Sequence, residues 1–214
     1  LKKLRKFAVG NSLKAALFAI AYPNEIGYGK KGVSWIFFMH FGRSADFKNN
    51  NTTLIILPTF RAGKGDIGYR VPTVKLLRNK RILVVGAGAV GAPVAIELAR
   101  NNCGHLNLIE HDVVEPGNTV RWPLGASAWG KQKLTALEDF LSKEYPATKL
   151  TVYNHYLGLT GTDNLENLVD NAILDKLLLE VDLVIDASAS YGVTSLLDAQ
   201  CRQANVPLIS VFAT

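Results

Sequence analysis

Residues 81–91 read Arg-Ile-Leu-Val-Val-Gly-Ala-Gly-Ala-Val-Gly, and no other stretch restricts the fold as strongly. Arg81–Val85 predicts a buried strand, because a short apolar, β-branched run bounded by glycine suits a sheet covered on both faces. Gly86, Gly88 and Gly91 follow at the G-x-G-x-x-G spacing and open a helix, one face of which is marked by Val90, Val94, Ala95 and Leu98. Glycines at these places permit a tight turn, close approach of backbone to phosphate, and close helix–strand packing. The N-terminus of such a helix offers unpaired N–H groups and a positive dipole end to an anion. Pro93 is tolerated because it falls in the first turn. Glu110 closes the next strand, 24 residues after Gly86, where an acid binds ribose hydroxyls in folds of this kind. The stretch therefore predicts a nucleotide site.

Beyond it the pattern alternates strand and helix. Gly104 is expected to end the first helix and His105–Glu110 to form the second strand. Leu134, Leu137, Phe140 and Leu141 give a helix stopped by Pro146, and Leu150–Tyr153 a third strand. Leu165, Leu168, Val169, Ala172 and Ile173 line another helix. Asp182–Asp186 is a fourth strand, Val193, Leu196 and Leu197 a helix face, and Pro207–Phe212 a fifth strand. The expected fold is α/β: a Rossmann-like, mostly parallel sheet with helices on both faces, preceded by a small β-containing N-terminal segment. Residues 1–78 are assigned to that basic segment, or to the tail of a preceding module, and residues 79–214 to the nucleotide-binding domain.

A dehydrogenase would need no more than this. The next motifs point elsewhere. Glu110-His111-Asp112 leads to Asn118-Thr-Val-Arg121 and then to Gly130-Lys-Gln-Lys133. Residues 81–214 here resemble the first part of the catalytic domain of the ubiquitin-activating-enzyme superfamily, in its bacterial ThiF/MoeB/HesA form. That family carries an acidic Asp-x-Asp strand end, then Asn-x-x-Arg-Gln, then Gly-x-x-Lys. The resemblance implies an ATP- and Mg²⁺-dependent adenylyltransferase that joins the C-terminal carboxylate of a ubiquitin-like or sulfur-carrier protein to AMP and releases pyrophosphate. It implies that Glu110 binds ribose, that Arg121 and Lys133 hold the triphosphate and stabilise the transition state, and that Asn118 helps fix the phosphates. Asp112 then shapes the loop and orients Arg121. Cations suit this chemistry because negative charge builds on the phosphate oxygens. The resemblance further implies a homodimer that borrows a basic residue from a partner subunit's N-terminal region, for which Arg5, Arg43, Arg61 and Arg70 are candidates.

Two departures stand out. The family's Arg-Gln is Arg121-Trp122, which removes a polar neighbour. The fourth strand, which ends Asp-x-x-Asp in the family with the second Asp serving Mg²⁺, ends Asp186-Ala187-Ser188-Ala189. Asp186 remains as the acid to help hold a hydrated Mg²⁺, displaced by three residues; its alternative is a cap or a hydrogen bond to a neighbouring loop. These departures motivate a second reading, a non-catalytic scaffold of the same fold. A third is an NAD(P)-dependent oxidoreductase. Gly125-Ala-Ser-Ala-Trp-Gly130-Lys131 imitates a P-loop but has Gln132 where Ser or Thr is required, and lacks the preceding strand.

Cys103 and Cys201 have neither framework nor metal spacing and read as packing residues of a cytoplasmic, reducing setting. His40, His105, His111 and His155 have no metal spacing; His111 is given a loop role. The first 80 residues carry fifteen Lys/Arg against three Asp/Glu, and the remainder nine against fifteen. The basic residues follow no repeat among the aromatics, which argues against nucleic acid as the partner. No apolar run reaches the ~18 residues of a membrane span. Residues 1–21 imitate a signal peptide, but the apolar part is short and Lys14 abuts it, so a basic amphipathic helix is expected there, with 12–22 fitting a short helix. Strands are expected over Trp35–Phe41 and Thr53–Leu57.

Overall fold

The computed structural model describes residues 2–9, 13–43, 52–63, 66, 68, 71–158 and 167–212, with the side chains of 2–9, 13, 14 and 167–171 outside that description. The chain divides into two compact units, Leu1–Pro72 and Thr73–Thr214.

The first unit is a four-stranded antiparallel sheet in sequence order: β1 (Lys2–Val9), β2 (Leu13–Gly27), β3 (Lys30–Arg43) and β4 (Thr53–Pro58). The strands expected at 35–41 and 53–57 are present within β3 and β4. Neither the basic amphipathic helix expected over 1–21 nor the short helix over 12–22 is present among the described residues: 2–9 form β1 and 13–22 lie in β2. Its alanines favour helix locally, yet Phe18 pairs across from Phe38 and Ile20 from Ile36, with β1 on its other side. Cross-strand packing outweighs a propensity difference of a few tenths of a kcal/mol per residue. The β2–β3 hairpin closes at Tyr28-Gly29, where Gly29 takes φ +66° and donates its N–H to the Glu25 carboxylate at 2.7 Å.

The second unit is α/β. Its elements are β5 (Arg81–Val85), α1 (Gly91–Arg100), β6 (His105–Glu110), α2 (Lys133–Glu144), β7 (Lys149–Asn154), α3 (Asn167–Leu178), β8 (Leu183–Asp186), α4 (Tyr191–Ala204) and β9 (Leu208–Ser210). The five strands are all parallel, in the order β7-β6-β5-β8-β9. Strand alternation sends Ile82, Val84, Leu106 and Leu108 to one face, where α1 and α2 supply Ala95, Ala99, Leu134, Leu137 and Leu141. Leu83, Val85 and Ile109 face the other way, onto Leu174, Leu177 and Leu178 of α3 and Val193, Leu197 and Cys201 of α4. The sheet is thus sandwiched between two apolar layers, each fully buried Leu contributing roughly 2 kcal/mol.

Two boundaries differ from expectation. The buried stripe of α1 is Ala92, Ala95, Ile96 and Ala99, with Val94 and Leu98 only partly covered, because small residues let the helix approach the sheet closely. That helix ends at Arg100, with Asn102 in a left-handed conformation (φ +59°). Gly104 lies beyond it and serves a close approach: a Cβ there would stand 2.3 Å from the Arg78 carbonyl oxygen. Of the expected helix positions near α3, Leu165 lies outside the described residues. Among the described residues no helix is long and apolar enough to cross a membrane.

The strand order reverses at β5. The chain steps outward through β6 and β7, then returns to add β8 and β9 on the other side. In open parallel sheets this reversal opens a crevice at the carboxyl ends of the central strands. The glycine turn and the residues after Asp186 sit there.

Candidate nucleotide site

The glycine turn is held by contacts that forbid side chains. Gly86 has φ +86°, and a Cβ on it would lie 2.6 Å from the Ala187 carbonyl oxygen. A Cβ on Gly91 would lie 1.8 Å from the Gly86 carbonyl oxygen. Gly88 differs: a Cβ there meets nothing within 4 Å, so protein packing does not demand it. Space beside Gly88 is what close approach of a phosphate to the backbone requires. Val90 begins α1 without a side-chain cap, and no acid occupies the first turn, so the helix N-terminus keeps its affinity for an anion.

This turn borders a cleft of about 420 Å³. Gly86, Gly88, Glu110, Asp112, Arg121 and Lys133 all line it, together with Tyr156, Ala189 and an apolar end made by Ile109, Leu157, Val193 and Val211. Asn118 and Asp186 do not. A separate concavity of about 430 Å³ over Leu124, Lys131, Phe140 and Lys143 holds none of the residues expected to bind nucleotide.

Glu110 is buried at the end of β6. Its Oε2 accepts the Ala87 N–H at 2.8 Å, and its Oε1 accepts the N–H groups of His111 (2.8 Å) and Asp112 (3.1 Å). Trp122 holds the next peptide, on the other side of the Ala87 Cα. Its indole Nε1–H donates to the Ala87 carbonyl at 2.8 Å, and the ring is 4% exposed. The Arg121-Trp122 pair therefore does not strip the site of a polar neighbour; the tryptophan supplies one donor and aims it at the glycine turn. Only the structure connects Trp122 with Ala87, 35 positions apart.

Lys133 is the first residue of α2 and is buried, with Nζ 2.7 Å from Asp112 Oδ2. Backbone bonds hold the two segments together: Lys133 N–H to Asp112 carbonyl (2.8 Å), Val114 N–H to Lys131 carbonyl (2.8 Å) and Gly130 N–H to Val114 carbonyl (2.9 Å). Gly130 takes φ +76° to make that turn. Asp112 is thus seen paired with Lys133, whereas the expectation had it orienting Arg121. Among the described residues the Arg121 guanidinium has no ion pair, and it stands on the cleft wall. Asn118 acts on backbone. Its Oδ1 accepts the Glu115 N–H at 3.0 Å in a reciprocal capping box, and its carbonyl accepts the N–H groups of Arg121 (2.9 Å) and Trp122 (2.8 Å). It positions Arg121 and Trp122 without facing the cleft.

Asp186 is 1% exposed. Its Oδ1 accepts the Ser188 hydroxyl (2.7 Å) and N–H (3.0 Å), and its Oδ2 accepts the Thr194 hydroxyl at 2.5 Å. This is the geometry of the alternative reading, a carboxylate that folds the loop onto α4. It does not fit a Mg²⁺ ligand, because burial keeps its oxygens from the cleft. His111 stands over the entrance, 3.1 Å from Asp112 Oδ1 and edge-on to Tyr156 with ring centroids 4.0 Å apart. Cys103 is fully buried, with its thiol pushed up to about 11 by that burial, and Cys201 is raised for the same reason. Both are packing residues. Arg61 pairs with Asp66 at 2.7 Å, while Arg70 and the Arg5 side chain lie outside the described residues.

Residues 65–213 match the ThiF family. The chain belongs to the ThiF family. Its relatives include the uncharacterized protein y4qC of Sinorhizobium fredii (strain NBRC 101917 / NGR234), 47% identical over 197 residues, covering 89% of this chain and 33% of that protein. The molybdopterin-synthase adenylyltransferase of Escherichia coli (strain K12) is 31% identical over 144 residues, covering 67% of this chain and 53% of the enzyme. Among solved structures, the E. coli tRNA N6-threonylcarbamoyladenosine dehydratase TcdA in complex with ATP superposes with a TM-score of 0.56 at 27% identity, over 66% of this chain and 54% of that one. This ThiF-family chain thus spans about a third to about half the length of these relatives.

Proposed function

We propose that the α/β unit binds ATP and adenylylates the C-terminal carboxylate of a ubiquitin-like or sulfur-carrier protein, working as a homodimer. The observation that carries the reading is the convergence of Arg121 and Lys133 on the cleft that the glycine turn borders. Phosphoryl chemistry makes use of two cations beside the phosphate turn, because charge accumulates on phosphate oxygens as the bond order changes. The ATP complex of TcdA and the name of the E. coli adenylyltransferase support the same class.

In the proposed reaction a carboxylate oxygen of the carrier attacks the α-phosphorus. An acyl–O–P bond forms, the bond from that phosphorus to the β-phosphate oxygen breaks, and pyrophosphate leaves with the electron pair. Products are acyl-adenylate and pyrophosphate, so atoms and charge balance. Gly88 leaves room for the phosphates, and the α1 N-terminus and Lys133 attract them. Arg121 steadies the charge that develops. Glu110 Oε2 accepts one N–H and keeps a lone pair for a ribose hydroxyl.

ATP–pyrophosphate exchange in the presence of a carrier tests the proposal. Arg121→Ala and Lys133→Ala should each lower exchange by about 10²-fold or more, with circular dichroism unchanged. Retained exchange in both variants refutes the assignment. The scaffold reading is favoured by Ala189, which carries no acid toward the cleft; ATP binding without exchange on any carrier would select it.

A further inference from the structure

We infer that no described carboxylate of this chain ligates a metal ion in the nucleotide complex, and that Arg121 and Lys133 neutralise the phosphates instead, so ATP binds as well without Mg²⁺ as with it. The inference rests on the proposed nucleotide site.

Mg²⁺ asks for near-octahedral oxygen ligands and is usually held through one or two carboxylates together with substrate phosphates. Two described acids line the cleft, Glu110 and Asp112, with Asp186 nearby but off the lining, and each is already engaged. Asp186 is buried beneath the loop it organises, bonded to Ser188 and Thr194. Glu110 accepts three backbone N–H groups that shape the glycine turn and the strand end. Asp112 is neutralised by Lys133 at 2.7 Å. The ligand atoms of Glu110, His111 and Asp112 do lie within 4.8 Å of one another. A dication among them would compete with the Lys133 ammonium for Asp112, and like charges at that range repel strongly in a partly buried setting.

Ala189 is the remaining observation. It lines the cleft directly after β8 and has φ +55°, a left-handed conformation that Asp and Asn adopt far more readily than Ala. The backbone there is shaped for a short oxygen-bearing side chain that this chain does not have. The charge facing the phosphates is therefore that of Arg121, which has no ion pair among the described residues, and of Lys133, which Asp112 shares.

The test is the ATP dissociation constant of the full chain, measured by calorimetry in excess MgCl₂ and in excess EDTA at one ionic strength. The wild-type values should agree within about threefold, a difference below one order in the binding constant. Ala189→Asp should weaken binding in EDTA and restore it with Mg²⁺, a response of roughly tenfold or more. Ala189→Asn, with the same shape and no charge, should show no metal response. A wild-type loss of about tenfold or more on chelation overturns the inference and leaves the nucleotide site standing. An Ala189→Asp protein that binds ATP with no metal response overturns the placement of residue 189 at the phosphates. Absence of ATP binding in both media overturns the nucleotide reading and this inference with it.

Discussion

Trp122→Phe isolates one hydrogen bond that the glycine turn depends on. Phenylalanine keeps a buried aromatic ring but deletes the N–H that donates 2.8 Å to the Ala87 carbonyl. Ala87 is 1% exposed, so water cannot readily take over the donor's role. Leaving a buried acceptor unpaired costs about 1–3 kcal/mol, and the smaller ring adds a partial cavity. A total of about 2–3 kcal/mol corresponds to a fall in melting temperature of roughly 6–12 °C for a unit of this size. Function should suffer separately. Glu110 still holds the Ala87 N–H, but the Ala87–Gly88 peptide, whose carbonyl Trp122 held, is free to tilt, which moves the backbone flanking Gly88. ATP affinity should then fall by about 3–10-fold, a loss near 1 kcal/mol. Differential scanning fluorimetry and ATP calorimetry measure the two effects, and Trp122→His, which can restore a ring N–H, should recover part of both. A Trp122→Phe protein that melts within 1–2 °C of wild type and binds ATP equally well would refute the reasoning, since a shift that small means ~0.5 kcal/mol or less.

Gly91→Ala should be more severe, because the new Cβ falls 1.8 Å from the Gly86 carbonyl oxygen and α1 would have to retreat from the turn; a cost of about 3 kcal/mol or more and loss of ATP binding are expected, read by thermal melting and nucleotide titration. Cys103 should resist iodoacetamide in the native protein at pH 8, since its thiol is buried and raised to about 11, and should react on unfolding; mass spectrometry of the two states decides. His105 is held below its ordinary value of 6.5 by burial first and then by Lys149 and Arg81. Its unfolded form binds the proton more readily, so its contribution to stability is present above that value and declines as pH falls toward the folded value. Urea melts across pH 7 to 5 should show this decline reduced in His105→Gln.

The α/β unit was legible because its signals are local. A strand covered on both faces must be apolar throughout, as Arg81–Val85 nearly is, and a phosphate turn must have glycine where backbone approaches backbone. The Gly130–Lys133 spacing was legible through its resemblance to the family's Gly-x-x-Lys motif; the fold adds that Gly130 is left-handed and that Lys133 starts α2 beside Asp112. The strand at 13–27 was not legible, because its alanines favour helix and only pairing with β1 and β3 overrules them. Within the site, Asn118 and Asp186 looked like ligand contacts because motif spacing carries no direction. The fold turned Asn118 onto Glu115 and Asp186 onto Ser188 and Thr194.

By itself the sequence determined the glycine turn and the order of strand and helix, which follow from sterics and periodicity within a few residues of chain; Arg121 and Lys133 came from the resemblance to the family's motifs. The tertiary structure alone decided which acids remain free and what holds the turn in place. Whether a carboxylate faces a ligand depends on which N–H and hydroxyl groups reach it first. For Glu110 one of those is the Ala87 N–H, brought close by the parallel pairing of β5 and β6, and for Asp112 it is the Lys133 ammonium, brought close by the backbone bonds between 112–114 and 130–133; both are more than twenty positions distant.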